Sequence, residues 1–395
     1  MTVPTVGPDG TEGGNFAGGS VYGIAQPASP ELFQVYEPSE GVELTPSRAS
    51  SVGPIGTTEV LKVENLTVGF PTEDGLVRAV RGVSYTLHER EVLGIVGESG
   101  SGKSVSSMAV MGLLPKSARI TGNISFRGQN ILSMSKNEQR SLRGRKIAMI
   151  FQDPMTAMNP VYTIGFQLAE AVLSHETMPK KAAMARAEEM LNLVGIPQPK
   201  ARLDSYPHEF SGGMRQRAMI AMAVINNPDV IIADEPTTAL DVTVQAQILE
   251  KLIEVKDAFN AAIVLITHDL GVVAGMAHRT LVMYAGRPVE LGTTEEVFYN
   301  PRMPYTAGLL GSIPSAGDTG RLRPITGAPP SLINLPDGCP FSPRCPLATD
   351  ICRTVEPELA PTDSPDHLGA CHHWDRLAAA PDPTAFFRTE SEARR

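Results

Sequence analysis

The feature that most constrains this chain is the octapeptide Gly97-Glu98-Ser99-Gly100-Ser101-Gly102-Lys103-Ser104. It follows the short apolar run Val92 to Val96 and opens a helical stretch from Ser104 to Leu114. It fits G-x-x-x-x-G-K-[ST], with the strand before and the helix after that this pattern requires. The glycines let the backbone curl until its N–H groups point at phosphate oxygens. The helix N-terminus adds a favourable dipole. Lys103 supplies positive charge for the outer phosphates, and Ser104 offers a hydroxyl to Mg²⁺.

The surrounding pattern is strand alternating with helix. Val60, Leu61, Val63 and Leu66 begin a strand, and Val83 to Leu87 alternates as a half-buried strand does. Ile147 to Phe151, Val230 to Ala233 and Ile263 to Ile266 are short apolar runs like Val92 to Val96, the texture of buried parallel strands. Helical patterns lie between them, at Lys180 to Leu193 and Val244 to Phe259. An α/β fold with a mainly parallel sheet is expected. Residues 1–56 are rich in Gly, Pro and Ser and are expected to be disordered. After Asn300, seven prolines between Pro301 and Pro336 break any long helix.

A phosphate loop alone does not separate kinase, GTPase and transport ATPase, but two further motifs do. Val230 to Ala233 is an apolar strand ending in Asp234-Glu235. Carboxylates at the C-terminal end of a parallel strand lie near the ligand crevice. Asp234 can hold Mg²⁺, and Glu235 can act as general base toward water. Between the two motifs lies Phe210-Ser211-Gly212-Gly213-Met214-Arg215-Gln216-Arg217, a second possible phosphate cradle at a helix start. Two cradles far apart in one chain invite a dimer in which one subunit's cradle meets ATP held by the other.

The ordered set resembles an ATP-binding-cassette (ABC) transporter ATPase. The resemblance implies a P-loop ABC ATPase fold over 57–310, with a parallel sheet core, an antiparallel β subdomain and a helical subdomain at about 153–228. It places Phe70 as the adenine-stacking aromatic and Val80 as an apolar wall. The expected ATP contacts are then Phe70, Val80, Gly97, Ser99, Gly100, Ser101, Gly102, Lys103, Ser104 and Val105. Gln152 matches the Q-loop glutamine, and Ser104, Gln152 and Asp234 are the expected Mg²⁺ residues. Ser211, Gly212, Gly213 and Gln216 match the signature that meets the partner's ATP, though Phe210 and Met214 depart from the common Leu and Gln. Ala239-Leu240-Asp241 matches the D-loop, with Asp241 its carboxylate. Ile266-Thr267-His268-Asp269 matches the switch region. Glu235, His268, Lys103 and Gln152 are the candidate catalytic residues.

Within that family, Gly97 to Ser101, Phe210 to Arg217, Asn300 to Thr306 and Gly338 to Pro346 resemble the D-type ATPase of dipeptide and oligopeptide importers. The implied partners are an F-type ATPase forming a heterodimer, two transmembrane permeases and an extracytoplasmic substrate-binding protein. The implied place is peripheral, on the cytoplasmic face of the inner membrane. Some relatives carry nickel chelates or other small solutes. A soluble ABC ATPase of repair or translation would have tandem cassettes or a long coiled coil, and this chain has one P-loop and no sustained heptads. A small-molecule kinase would not explain Ser211-Gly212-Gly213.

Charge and cysteine usage agree with this reading. Lys+Arg is 34 against Asp+Glu 43, net −9, which argues against a broad nucleic-acid surface. No apolar run approaches a span of about 18 residues. The start of the chain lacks a signal-peptide pattern, so a cytoplasmic place is expected. Thiols there stay reduced, so four cysteines in one segment suggest metal before disulfide.

Cys339, Cys345, Cys352 and Cys371 are spaced C-x5-C-x6-C-x18-C within residues 311–395, a C-terminal regulatory or metal-binding extension. Zinc sites favour C-x2–4-C pairs, which are absent. A [4Fe–4S] cluster takes four thiolates and tolerates longer loops. The resemblance to importer D-type subunits favours the cluster, with Zn²⁺ and no metal as alternatives. His372 and His373 adjoin the last cysteine. A metal there would staple a Pro-rich segment too small to build its own core.

Overall fold

The computed structural model describes residues 55–238, 240–313 and 325–387. The disorder expected for 1–56 falls almost wholly outside them, as does Ala239 of the D-loop match. In chain order, the hairpin β1 (Glu59–Thr72) and β2 (Gly75–His88) leads to β3 (Val92–Val96), α1 (Lys103–Val110), β4 (Arg119–Phe126) and β5 (Gln129–Asn130). Next come α2 (Lys136–Leu142), β6 (Ile147–Ile150) and a helical run. That run holds α3 (Pro154–Ala157), α4 (Ile164–Leu173), α5 (Lys180–Leu193), α6 (Pro199–Arg202) and α7 (Gly212–Val224). After it come β7 (Val230–Asp234), α8 (Val242–Phe259), β8 (Ala262–Ile266), α9 (Leu270–Met276), β9 (Arg279–Tyr284) and β10 (Arg287–Thr293). Then follow α10 (Thr294–Tyr299) and α11 (Pro304–Gly311), and beyond residue 325 α12 (Asp350–Thr354), β11 (Ala360–Pro361), β12 (Leu368–Gly369) and α13 (Trp374–Ala378).

Two sheets form. The smaller is antiparallel, in the order β2-β1-β4-β5. The larger has the order β11-β12-β10-β9-β3-β8-β7-β6. Its β9-β3-β8-β7-β6 part is parallel, and β10, β12 and β11 extend it antiparallel. The expected mainly parallel α/β sheet with a separate antiparallel sheet is what the chain forms. The Pro-rich C-terminal segment also reaches this sheet, because β12 pairs with β10 at Glu290 and Leu291.

Why the short apolar runs read as continuous is visible in their packing. On β7, Ile231 and Ala233 join one core, while Val230 and Ile232 join the other. Leu93 and Ile95 on β3 and Val264 and Ile266 on β8 follow the second face, and Val92, Val96, Ile263 and Leu265 follow the first. Successive strand side chains point to opposite faces, so a sheet covered on both sides needs apolar residues at every position. Helices α4, α5, α7 and α8 supply side chains to the first core. The small sheet and α1 supply the second. Among the described residues, no helix is long and apolar enough to cross a membrane.

Candidate functional site

Four adjacent parallel strands deliver the candidate residues. β3 runs into the phosphate loop, β8 leads to His268, β7 ends at Asp234 with Glu235 next, and β6 is followed by Gln152. The register pairs Ile95 with Ile266, Asp234 with Ile266, and Ile150 with Ala233, so these C-terminal ends are level. In open α/β sheets ligands bind outside these ends.

The phosphate loop is shaped by backbone crowding. Gly97 and Gly102 have φ of 148° and 100°. A Cβ on Gly97 would lie 2.2 Å from the Met283 carbonyl oxygen, and one on Gly102 would lie 2.3 Å from that of Ala79. A side chain at either position would collide with backbone. At Gly100 a Cβ would meet nothing within 4 Å, so this is the open side of the loop. Ser101 is buried, and Ser99 and Gly100 are exposed.

Lys103 is buried, and its Nζ donates to the carbonyls of Gly97 (2.7 Å) and Glu98 (3.0 Å). Burial lowers its pKa, and the carboxylates of Glu235, Asp234 and Glu98 oppose that shift. The ammonium therefore sits in a cage of oxygens at the loop's inner side, where phosphate oxygens can compete for it.

Carboxylates and polar groups complete the cluster. Ser104 Oγ donates to Asp234 Oδ1 at 3.0 Å, so two of the three expected Mg²⁺ residues already touch. Asp234 is buried, and its pKa is raised by that burial, with Glu235 adding to the rise. A divalent cation would relieve that crowding of negative charge, so the donor set suits Mg²⁺. Gln152 Nε2 donates to Glu235 Oε2 at 3.0 Å, and Thr238 Oγ1 donates to the same oxygen at 2.8 Å. His268 Nδ1 stands 3.4 Å from Glu235 Oε1. Glu235 has φ of 46°, a conformation that disfavours a non-glycine residue and is over-represented at functional sites. Glu235 is thus held at both oxygens, in reach of a proton acceptor's work on water.

The remaining expected residues lie elsewhere. Phe70 is half-buried near the end of β1, and Val80 on β2 is buried in the second core. Val105 is half-buried on α1. Ser211 caps α7, its hydroxyl accepting from the Met214 N–H at 3.3 Å. Gly212 is exposed, Gly213 half-buried, and Gln216 buried. Asp241 caps α8 through the Val244 N–H at 3.0 Å. The structure brings Lys103, Ser104, Asp234, Glu235, Gln152 and His268 together. It sets Ser211 on α7, which packs with α3, α4, α5 and α8 rather than beside the loop's own helix, α1, on the small-sheet side. Thr238 was missed by sequence reasoning, although its place three residues after Glu235 is a usable signal.

The four cysteines are free thiols that line one cavity of about 10 Å³, together with His372 and His373. The Cys339 N–H donates to the Cys352 carbonyl at 2.8 Å, which closes the loop between them. Burial pushes the Cys345 and Cys371 thiols up to about 12 and raises Cys339, and the neighbouring cysteines add to each rise. His372 and His373 are engaged with the Val355 carbonyl and Thr349 Oγ1. Among the described residues, no three His, Cys, Asp or Glu side chains are arranged to hold a single metal ion. The compact four-thiolate site that Zn²⁺ would need is therefore not formed.

Residues 80–238 match the ABC transporter family, and residues 289–352 match the oligopeptide/dipeptide transporter C-terminal region. The dipeptide transport ATP-binding protein DppD of Bacillus subtilis (strain 168) is 56% identical over 302 residues, covering 76% of this chain and 90% of that one. The oligopeptide transport ATP-binding protein OppD of Mycobacterium tuberculosis (strain ATCC 25618 / H37Rv) is 51% identical over 338 residues. The match covers 85% of this chain and 55% of the mycobacterial one, so this chain spans about half of that relative. Among solved structures, the dimeric post-hydrolysis state of the ATP-binding cassette MJ0796, bound to ADP and Pi, superposes with a TM-score of 0.53 at 25% identity. That superposition covers 59% of this chain and 98% of the other.

Proposed function

Since this chain belongs to the ABC transporter family of ATP-binding proteins, we propose that it is the ATP-hydrolysing subunit that energises import of di- or oligopeptides. The observation that carries the reading is the strand-end cluster of Lys103, Ser104, Gln152, Asp234, Glu235 and His268. Residues 57–310 are the nucleotide-binding unit, with 153–228 as its helical subdomain and 311–395 as its extension.

In this reading Lys103 leaves its two loop carbonyls for phosphate oxygens, and the loop N–H groups stabilise charge on the transferring phosphoryl group. Ser104, Asp234 and Gln152 would hold Mg²⁺, which supplies charge neutralisation at the phosphates. Glu235, fixed by Gln152 and Thr238, takes a proton from the attacking water, and His268 orients it. Ser211, Gly212, Gly213 and Gln216 serve the ATP of a partner cassette, and Asp241 lies at that seam. The dimeric form of the MJ0796 cassette supports a two-cassette assembly. Phe70, Val80 and Val105 border the base and sugar.

The partners are a second, F-type ATPase, two membrane permeases and, through them, an extracytoplasmic binding protein. The chain sits peripherally on the cytoplasmic face of the inner membrane. The names of the relatives favour peptide over nickel chelate or another small solute.

The cysteines hold a [4Fe–4S] cluster in this reading. Four thiols lining one cavity suit such a cluster, and its widely spaced corners do not require the close set that one ion needs. The cavity is about 10 Å³, so loading the cluster requires the cysteine loops to open outward. The test is the transporter purified with this chain without oxygen and reconstituted with its binding protein. Peptide-stimulated ATP hydrolysis with about four irons and four sulfides per chain supports the reading. Stimulation by a nickel chelate alone rejects peptide, and stoichiometric zinc or no metal rejects the cluster.

A further inference from the structure

Glu98, inside the phosphate loop, is clamped by the cysteine segment. Arg344 grips its carboxylate with both arms, Nη1 to Oε2 at 2.7 Å and Nη2 to Oε1 at 2.8 Å. The two residues are 246 positions apart, and Arg344 directly precedes Cys345. Its side chain is 5% exposed. It is further fixed by the carbonyls of Thr326 and Ile325, by the Tyr284 hydroxyl, and by lying over the rings of Tyr284 and Phe341. Those two rings and Tyr305 pack with centroids 4.5–5.4 Å apart. Tyr305 also reaches the loop, where its hydroxyl accepts from the Glu98 N–H at 2.8 Å.

Glu98 is in a sensitive place. Its carbonyl accepts from Lys103 Nζ, and its carboxylate acts on that ammonium through space. Freed from Arg344, this carboxylate would still act on Lys103, the same cation that ATP phosphates need. It would also place an uncompensated negative charge beside a polyanionic ligand, with the Glu98 side chain only 26% exposed. A bidentate guanidinium removes both problems at once, since its fork fixes the carboxylate's direction and cancels its charge.

We propose that Arg344 is a positioning residue of the ATP site. It neutralises Glu98 and holds it away from Lys103, so that the cysteine segment sets the nucleotide affinity of the phosphate loop. This rests on the reading of that loop as the ATP site. It also gives the C-terminal segment a task that a mere staple lacks. Displacing the loop between Cys339 and Cys345 would move Arg344 and release Glu98.

The test is Mg–ATP titration of the full-length chain, paired with KM and kcat for ATP in the assembled transporter. Arg344→Ala should weaken ATP binding and raise KM by about tenfold with kcat changed less than twofold. Arg344→Gln, which keeps bulk between Tyr284 and Phe341, should do the same if Arg344→Ala folds poorly. Adding Glu98→Gln to either variant should restore affinity to within about twofold of wild type, which the loss of a staple would not allow. Glu98→Gln alone should bind ATP at least as tightly as wild type. Wild-type affinity in both arginine variants, or no rescue by Glu98→Gln, overturns the proposal. Failure of the wild-type chain to bind Mg–ATP overturns the ATP-site reading itself, and the proposal with it.

Discussion

The phosphate loop and the cysteine segment touch at Glu98 and Arg344, yet they are built in opposite ways. The loop is held by backbone: level ends of parallel strands, glycines at positive φ, and carbonyls packed where a Cβ would sit. The cysteine segment is held by side chains. Phe341 is buried in the main core, Arg344 pairs with Glu98, Arg302 pairs with Asp363, and His367 pairs with Glu290, while its strands β11 and β12 have two residues each. The lesson is that a site built on backbone tolerates almost no change of shape but needs no partner to exist. A segment built on side chains depends on chemistry that pH, metal or redox state can alter.

The sharpest way to break this contrast is at Glu235, where chemistry and shape separate. Glu235→Gln should keep ATP bound and cut turnover in the assembled transporter by about 100-fold or more. Turnover within a few-fold of wild type would remove Glu235 from the reaction.

Shape is tested next. Gly97→Ala puts a Cβ against the Met283 carbonyl and should cost about 3 kcal/mol or more in apo stability. Gly100→Ala meets only open space and should cost about 1 kcal/mol, from its left-handed φ alone. Thermal melts of the two full-length variants check this, and equal losses would contradict a loop shaped by backbone packing.

In the other region, Cys345→Ser exchanges a half-buried thiol for a hydroxyl that must find a partner. It should cost about 1–3 kcal/mol. The loss should appear as faster amide exchange or proteolysis between 325 and 387 while β3 and α1 keep their protection. Uniform loss across the chain would mean that the two regions unfold as one.

A graded effect is expected from pH. The Cys345 and Cys371 thiols are raised to about 12 in the folded, metal-free chain, against about 8.5 in an unfolded one. The unfolded state then loses protons first, so stability is complete below about pH 8.5 and falls as pH rises toward the folded values. Urea melts of the metal-free chain between pH 7.5 and 10 should show the C-terminal segment weakening. The Cys345→Ser/Cys371→Ser variant should lack that slope.

Legibility followed the same divide. The phosphate loop, the Asp234-Glu235 strand end and the helices at Lys180–Leu193 and Val244 to Phe259 could be read from the chain, the second helix forming over Val242–Phe259, because local pattern and backbone need coincide there. The level register that gathers Gln152, Glu235 and His268 could be read only through family resemblance, since nothing local aligns the ends of β6, β7 and β8. The Arg344–Glu98 clamp and the pairing of β12 with β10 were not legible at all. Both join segments far apart in sequence through groups whose types carry no directional signal. The cysteine spacing announced a cluster of thiols but not their geometry, which depends on where Phe341, Leu347 and the Cys339–Cys352 backbone contact set the loops.

The most direct measurement of the central claim is hydrogen–deuterium exchange of the full-length chain with and without Mg–ATP. The account predicts new protection concentrated at 97–105, with smaller changes at 150–152, at 234–238 and in the 339–345 loop that carries Arg344. Saturating Mg–ATP that leaves 97–105 unchanged while protecting another region would contradict it.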